Sequence, residues 1–274
     1  MMKIITSNDV LLQYIPNVFA TVEGENPLYK KIKHFLEASE AWLTENLIGE
    51  ETLSMIAEGE HDTRYVNVAL AIVARALFLA IPSLDVVLTP NGFGIISNDT
   101  VAPASKERVE RLISTLKLIE SQCIAVLLPM LRSTTQWHSS KQCKWLASSI
   151  IQDMSLLPDA AKNWEGFISF RQQVYDIEQT IANEWISPQL MERLRLSEAT
   201  ATYGEGIERL VYSLKMVVIS SYNRGCLNKR ILDDIVSYIR NFPDQFPEWH
   251  GSATAKLFAP VVFVNDKKAG GYFF

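Results

Sequence analysis

The chain has 274 residues, 48% hydrophobic and 21% charged, enough apolar material to bury a sizeable core without disulfide or metal staples. A net charge of -5 argues against a surface devoted to neutralising many phosphates, a binding mode that needs clustered Lys and Arg. Cys123, Cys143 and Cys226 form neither a C-x-x-C pair nor an even framework and read as reduced thiols of a cytoplasm-like compartment; the polar residues from Thr6 to Asp9 interrupt any secretory apolar run.

Residues 1–27 read as a loose N-terminal segment punctuated by Pro16, Gly24 and Pro27. From Leu28, the positions Ile32, Phe35, Leu36, Trp42, Leu43 and Leu47 repeat at three and four, the stripe of an amphipathic helix, and Leu53 with Ile56 predicts a short second one. Tyr65 to Ile81 predicts a buried third helix that stops at Pro82, too short and too polar for a membrane span. Arg75 inside it needs a partner, for which Asp85 or a helix C-terminus is expected. The period then changes. Leu84 to Leu88 and Phe93 to Ile96 are β-rich runs around Thr89-Pro90-Asn91-Gly92, which predicts a hairpin at about 84–97.

Helix resumes after Pro103, with Ser105 as N-cap and Val109, Leu112, Leu116, Cys123 and Leu127 on one face, until Pro129 ends it. A helix over about 140–157 leads through Pro158 to a longer one, in which Phe167, Phe170, Val174, Ile177, Ile181 and Trp185 form nearly a heptad seam. Ser187-Pro188 reads as a cap with proline at the first helical position. Two further helices follow over 207–222 and 227–239. Pro260 to Val264 is strand-like, and the chain closes on Tyr272, Phe273 and Phe274. These aromatics either fold back as the second strand of a hairpin, the favoured expectation, or dock on another chain by strand addition.

An internal repeat organises the whole. Trp137-His138-x-Ser140, with Lys144 and Ala147, returns 112 residues later as Trp249-His250-x-Ser252, with Lys256 and Ala259. Pairing Trp42 with Trp185 gives a second offset, 143, and one insertion around the hairpin reconciles the two. The expected class is therefore mainly α: two tandem related helical bundles, with a β-hairpin inserted in the first and a short β element at the C-terminus. The expected boundaries are 1–27, 28–157 and 158–274.

Candidate chemistry is sparse. His138, Cys143 and His250 match no strong metal spacing, and Ala255 stands where the first copy has Cys143. Trp137, His138, Trp249 and His250 therefore read as structural anchors, each Trp holding a loop in the core while His and Ser cap the next helix. His61-Asp62 reads as a solvated loop. Gly92-Phe93-Gly94 and Gly204-Glu205-Gly206 lack the rest of a phosphate-binding motif. No cofactor or metal is expected.

The run from Leu84 to Asn98, continuing from Ala102 to Val109, resembles a signature of an uncharacterised family of phages and prophages of gut anaerobes, as do Phe246-Pro247-Glu248-Trp249 with Ser252, Phe263-Val264-Asn265 and the glycine-aromatic end. The resemblance implies a non-enzymatic structural protein of a tailed phage, such as a head-tail connector or neck component. It implies cytoplasmic assembly, location in the virion, and copies of itself and phage structural proteins as partners; the charge balance and the apolar stretch predict no specific nucleic-acid binding and no membrane. Two helical units depart from the simplest adaptor. Thr89, Pro90, Asn91, Gly92, Phe93, Tyr272, Phe273 and Phe274 are the expected partner contacts. The alternatives are a helical enzyme with a site between the units, using His61, Glu58 or His138, and a helical peptide-binding scaffold.

Overall fold

The computed structural model describes residues 2–15, 26–59, 62–84, 86–89, 92–95, 105–157 and 162–259. The first half runs through α1 (Asn8–Tyr14), α2 (Leu28–Leu43), α3 (Glu50–Glu58), α4 (Thr63–Leu84), β1 (Val86–Thr89), β2 (Gly92–Ile95), α5 (Lys106–Arg132), α6 (Thr135–His138) and α7 (Lys141–Leu146). The second half runs through α8 (Trp164–Gln173), α9 (Tyr175–Ile181), α10 (Pro188–Ala199), α11 (Ile207–Arg224), α12 (Lys229–Asn241), α13 (Pro247–His250) and α14 (Ala253–Leu257).

Each half contains the same irregularity. Helix α2 passes into a π-helical turn, Thr44–Ile48, which stops at Gly49 with φ 83° before α3 begins. Helix α9 passes into a π-helical turn, Ala182–Ile186, which stops at Ser187 with φ 80° before α10 begins. A positive φ turns the chain sharply, is natural for glycine, and is uncommon for serine. Ser187 holds it while its Oγ accepts from the N–H of Leu190 at 3.3 Å, the cap that Ser187-Pro188 predicts.

These turns set the true register between the halves at an offset of 138. It pairs buried Leu36 with Val174, Leu43 with Ile181, Ile48 with Ile186, Leu53 with Met191 and Ile56 with Leu194. The expected offset of 143 is corrected: Trp42 and Trp185 both lie beside the core, but Trp42 is in α2, before its π-helical turn, and Trp185 is within its own. Residues 85–105 separate α4 from α5, whereas residues 225–228 separate the corresponding α11 from α12, so part of the extra length of the first half falls there and the rest lies in α4 and α5 themselves, of 22 and 27 residues against 18 and 13.

The expected class needs correction in two respects. One continuous apolar core, from Ile4 to Trp249, runs through both halves, so they are not two separate bundles. Nor is β structure part of the architecture. Among the described residues the only pairing is a four-residue antiparallel ladder, Val86 with Ile95 to Thr89 with Gly92, which forms no layer of the body. The C-terminal β element has no support, because residues 260–274 lie outside the described residues. The β-rich sequence of 84–97 therefore does not translate into a mixed fold: the described core is made by helices.

Several helix boundaries also differ, and the single helix expected through Phe167 and Trp185 is split at Val174 into α8 and α9. Pro82 and Pro129 lie inside α4 and α5 instead of ending them. Each sits within the last turn, where the missing N–H costs one bond to the preceding turn and little helix remains to be broken. After α7 the chain leaves helix at Ala147; of the expected helix over 140–157, only α7 and a short 3-10 turn, Met154–Leu156, form.

With Pro82 included, α4 has 22 residues, and both it (mean hydropathy 1.9) and α5 (1.5) are long and apolar enough to cross a membrane by length and composition alone. Here α4 packs along α5. Arg75, midway along α4, donates to Glu120 of α5 at 2.7 Å and lies 3.6 Å from the Trp42 ring centroid, so its partner is Glu120.

Candidate functional site: the paired tryptophan-histidine corners

A helix that ends leaves its last carbonyls without N–H partners, and in a buried setting something else must supply them. At the first corner the indole Nε1 of Trp137 donates to the Leu47 carbonyl at 2.9 Å, and Gln142 Nε2 donates to the carbonyls of Thr44 and Glu45 at 3.0 and 2.9 Å. At the second corner Trp249 Nε1 donates to the Trp185 carbonyl at 2.8 Å and Thr254 Oγ1 to the Asn183 carbonyl at 3.0 Å. Leu47 and Trp185 are equivalent at the offset of 138, as are Glu45 and Asn183. The repeated corner thus fills the open end of the repeated π-helical turn in both halves.

Ser140 and Ser252 cap the following helices, accepting from the N–H groups of Cys143 at 3.0 Å and Ala255 at 3.1 Å. The histidines do not cap these helices, contrary to expectation. His138 Nε2 meets the Arg132 carbonyl at 2.7 Å and His250 Nε2 the Ile239 carbonyl at 3.2 Å, both at the ends of the preceding long helices. An imidazole is long enough to reach back across the turn, while the nearer serine takes the cap.

A second repeated contact lies upstream, where the sequence shows only a loose segment. The buried carboxylate of Glu40 on α2 accepts from the backbone N–H groups of Lys3 and Ile4 at 2.9 and 3.0 Å. Its equivalent Glu178 on α9 accepts from Ile150 N–H at 3.1 and 3.2 Å and from Ser149 Oγ at 2.5 Å, and also pairs with Arg195. Ile4 and Ile5, like Ile150 and Ile151, are almost fully buried. Ser7 and Asp153 then cap the turns that follow. The first unit therefore starts near Lys3, not Leu28. The signal was present as Ile-Ile followed by a cap residue, but two short apolar pairs do not stand out in a chain this apolar.

The halves are joined by a buried charge network. Glu198 on α10 pairs with Arg132 at the end of α5 and with Lys215 on α11 at 2.6 Å, and accepts from Tyr203 at 2.5 Å. Burial alone would raise the Glu198 carboxyl; Lys215, Tyr203 and Arg132 together outweigh it and hold the carboxyl below its ordinary range. Burial and the bond to Glu198 push the Tyr203 hydroxyl up. Arg171 on α8 donates to the carbonyls of Trp145, Leu146 and Ile151, and burial brings it down to about 10. Burial pushes the Cys123 and Cys143 thiols up to about 11, which keeps them protonated and unreactive at neutral pH.

Among the sequence-predicted site residues, Thr89 pairs with Gly92 and Phe93 with Leu88 in the short ladder. Pro90, Asn91, Tyr272, Phe273 and Phe274 lie outside the described residues, as does His61. No group of three or more His, Cys, Asp or Glu among the described residues could hold a metal ion. Asp62 instead binds Arg64 at 2.6 Å, which holds its carboxyl below the ordinary range.

Residues 15–146, somewhat under half of the chain, match the profile of a family of unknown function, DUF6712. The matched stretch takes in α2 to α7, including the first tryptophan-histidine corner. Comparison with curated proteins and with solved structures gave no match.

Proposed function

We propose that this chain is a non-enzymatic assembly protein of a tailed phage or prophage, acting as a head-tail connector or neck component in contact with copies of itself and other virion proteins. One observation carries the non-enzymatic part: what the two halves hold in common is spent on backbone geometry. Trp137 and Trp249, His138 and His250, Ser140 and Ser252, and Glu40 and Glu178 each engage backbone groups. A unit duplicated for catalysis would retain reactive groups converging on a cleft; this one retains the bonds that fix helix ends. The phage assignment is supported by the sequence resemblance. Cytoplasmic assembly followed by residence in the virion accords with it.

Sedimentation velocity over a wide concentration range tests the reading. A sedimentation coefficient that rises with concentration to a defined oligomer is expected. A strict monomer at the highest concentration would count against it.

A further inference from the structure

Helices α5 and α12 both lead into a corner, but α5 has 27 residues and α12 only 13, so the start of α5 has no counterpart in the second half. From Lys106 to Thr115 no residue is buried, and α5 packs along α4 and against α6. Arg108, Arg111 and Leu118 recur at three and seven, so they share one face of this arm, on which Leu118 is 55% exposed. Lys106 pairs with Glu110 at 3.7 Å, whereas Arg108 and Arg111 have no carboxylate at ion-pair distance among the described residues. The opposite charge collects on the first unit. Between Lys33 and Arg64 the chain carries eight carboxylates and no lysine or arginine. Lys3, Lys33 and Arg64 pair with Glu50, Glu37 and Asp62, and Glu40 holds the N-terminal segment. Glu51 and Glu58 remain exposed on α3 with no cation at that distance among the described residues, and half-buried Met55 lies between them on the same face. At the offset of 138, Met55 and Ala57 become Arg193 and Arg195, which pair with Glu248 and Glu178. The second unit therefore neutralises what the first leaves open.

We infer that the arm of one copy, at Arg108, Arg111 and Leu118, docks on α3 of a second copy, at Glu51, Met55 and Glu58. The inference rests on the assembly reading above and names its contact. Within one molecule the arm does not meet this face: α5 approaches the surroundings of α3 at its other end, where it runs into α6, about 35 Å along the helix from Arg108. Copies of net charge -5 repel one another over most of their surfaces, so a cationic arm facing an anionic helix selects how they meet. Leu118 against Met55 gives the contact an apolar centre from which water is excluded. A contact between unlike faces is heterologous, and it closes into a ring or runs on as a filament according to the rotation per step.

The test uses two charge-reversed forms of the full chain, one carrying Arg108→Glu with Arg111→Glu, the other Glu51→Lys with Glu58→Lys. In sedimentation velocity each alone should need about tenfold more protein to assemble than the unaltered chain, with unchanged helical circular dichroism. An equal mixture of the two should regain assembly, because each reversed arm then meets a reversed face and each unaltered arm an unaltered one. If the arm variant alone is weakened and the face variant is not, the arm docks elsewhere and the inference falls. It falls equally if the arm variant assembles like the unaltered chain, or if the mixture stays as weak as its components. In each of these cases the assembly reading stands; if the unaltered chain never assembles, both fail.

Discussion

The two halves solve one structural problem with partly different residues. At the turn before the third helix of each unit, the first half uses Gly49 and the second Ser187, at nearly the same backbone angles. Gln142 reaches the π-helical carbonyls of the first half, while the shorter Thr254 reaches only one in the second. The tryptophan stays the same in both. The comparison teaches that the open carbonyls of the turn are the constraint: any donor of suitable length serves at the second site, but only an indole fills the core while presenting an N–H at its edge.

Substitutions made in matched pairs exploit this parallel. The largest effect is expected at the carboxylates. Glu178→Ala strands Arg195, Ser149 and the Ile150 N–H in the core and should cost about 3–5 kcal/mol. Glu40→Ala releases only a short N-terminal segment and should cost about 1–3 kcal/mol. Urea unfolding measures both, and equal losses would argue that the two sites do not differ in this way.

Next come the tryptophans. Trp137→Phe and Trp249→Phe keep an aromatic ring but leave the Leu47 or Trp185 carbonyl unpaired, for a loss of about 1–3 kcal/mol each. A loss at one corner alone would break the equivalence. At the turns the signs should be opposite. Gly49→Ala places a Cβ at positive φ, 3.1 Å from Gln142 Oε1, and should destabilise by about 1–3 kcal/mol. Ser187→Gly relieves the same backbone cost but gives up a cap worth a few tenths relative to glycine, so thermal unfolding should show a net gain of about 1 kcal/mol.

The smallest effects are slopes with pH. The Glu198 carboxyl is held below its ordinary value of 4.5, so its contribution is full above that value and is lost as pH falls through the lowered one. Glu198→Gln should flatten the acid side of the stability profile. Burial raises the Glu120 carboxyl despite Arg75, so ionising it costs stability as pH rises from 4.5 through the raised value. Glu120→Gln should remove that decline. Both are read from denaturant midpoints across the acid range.

Much of this was legible in the sequence. Helical periodicity located α2 and the central helices, and the Trp-His pattern marked both corners because its residues are rare, but the single helix expected over Phe167 to Trp185 is divided at Val174 into α8 and α9 and ends in the π-helical turn. The register of the upstream helices was not legible. It is set by Glu40 and Glu178, common residues whose role exists only once the Ile4 and Ile150 backbone reaches them. Nor does composition reveal a π-helical turn, which depends on what fills its carbonyls. The proline stops failed for a related reason, since a proline in the last turn has little helix left to interrupt. The partner-contact residues Pro90, Asn91, Tyr272, Phe273 and Phe274 fall outside the described residues, so their role stays with the sequence reading.

Exchange of the indole N–H protons with solvent, followed by NMR, probes the doubled corner most directly. The chain has six tryptophans, and the signals of Trp137 and Trp249 should be the slowest to exchange and comparable to each other, with exposed Trp145 fast. If either corner tryptophan exchanges as quickly as Trp145, the two corners do not play the same part.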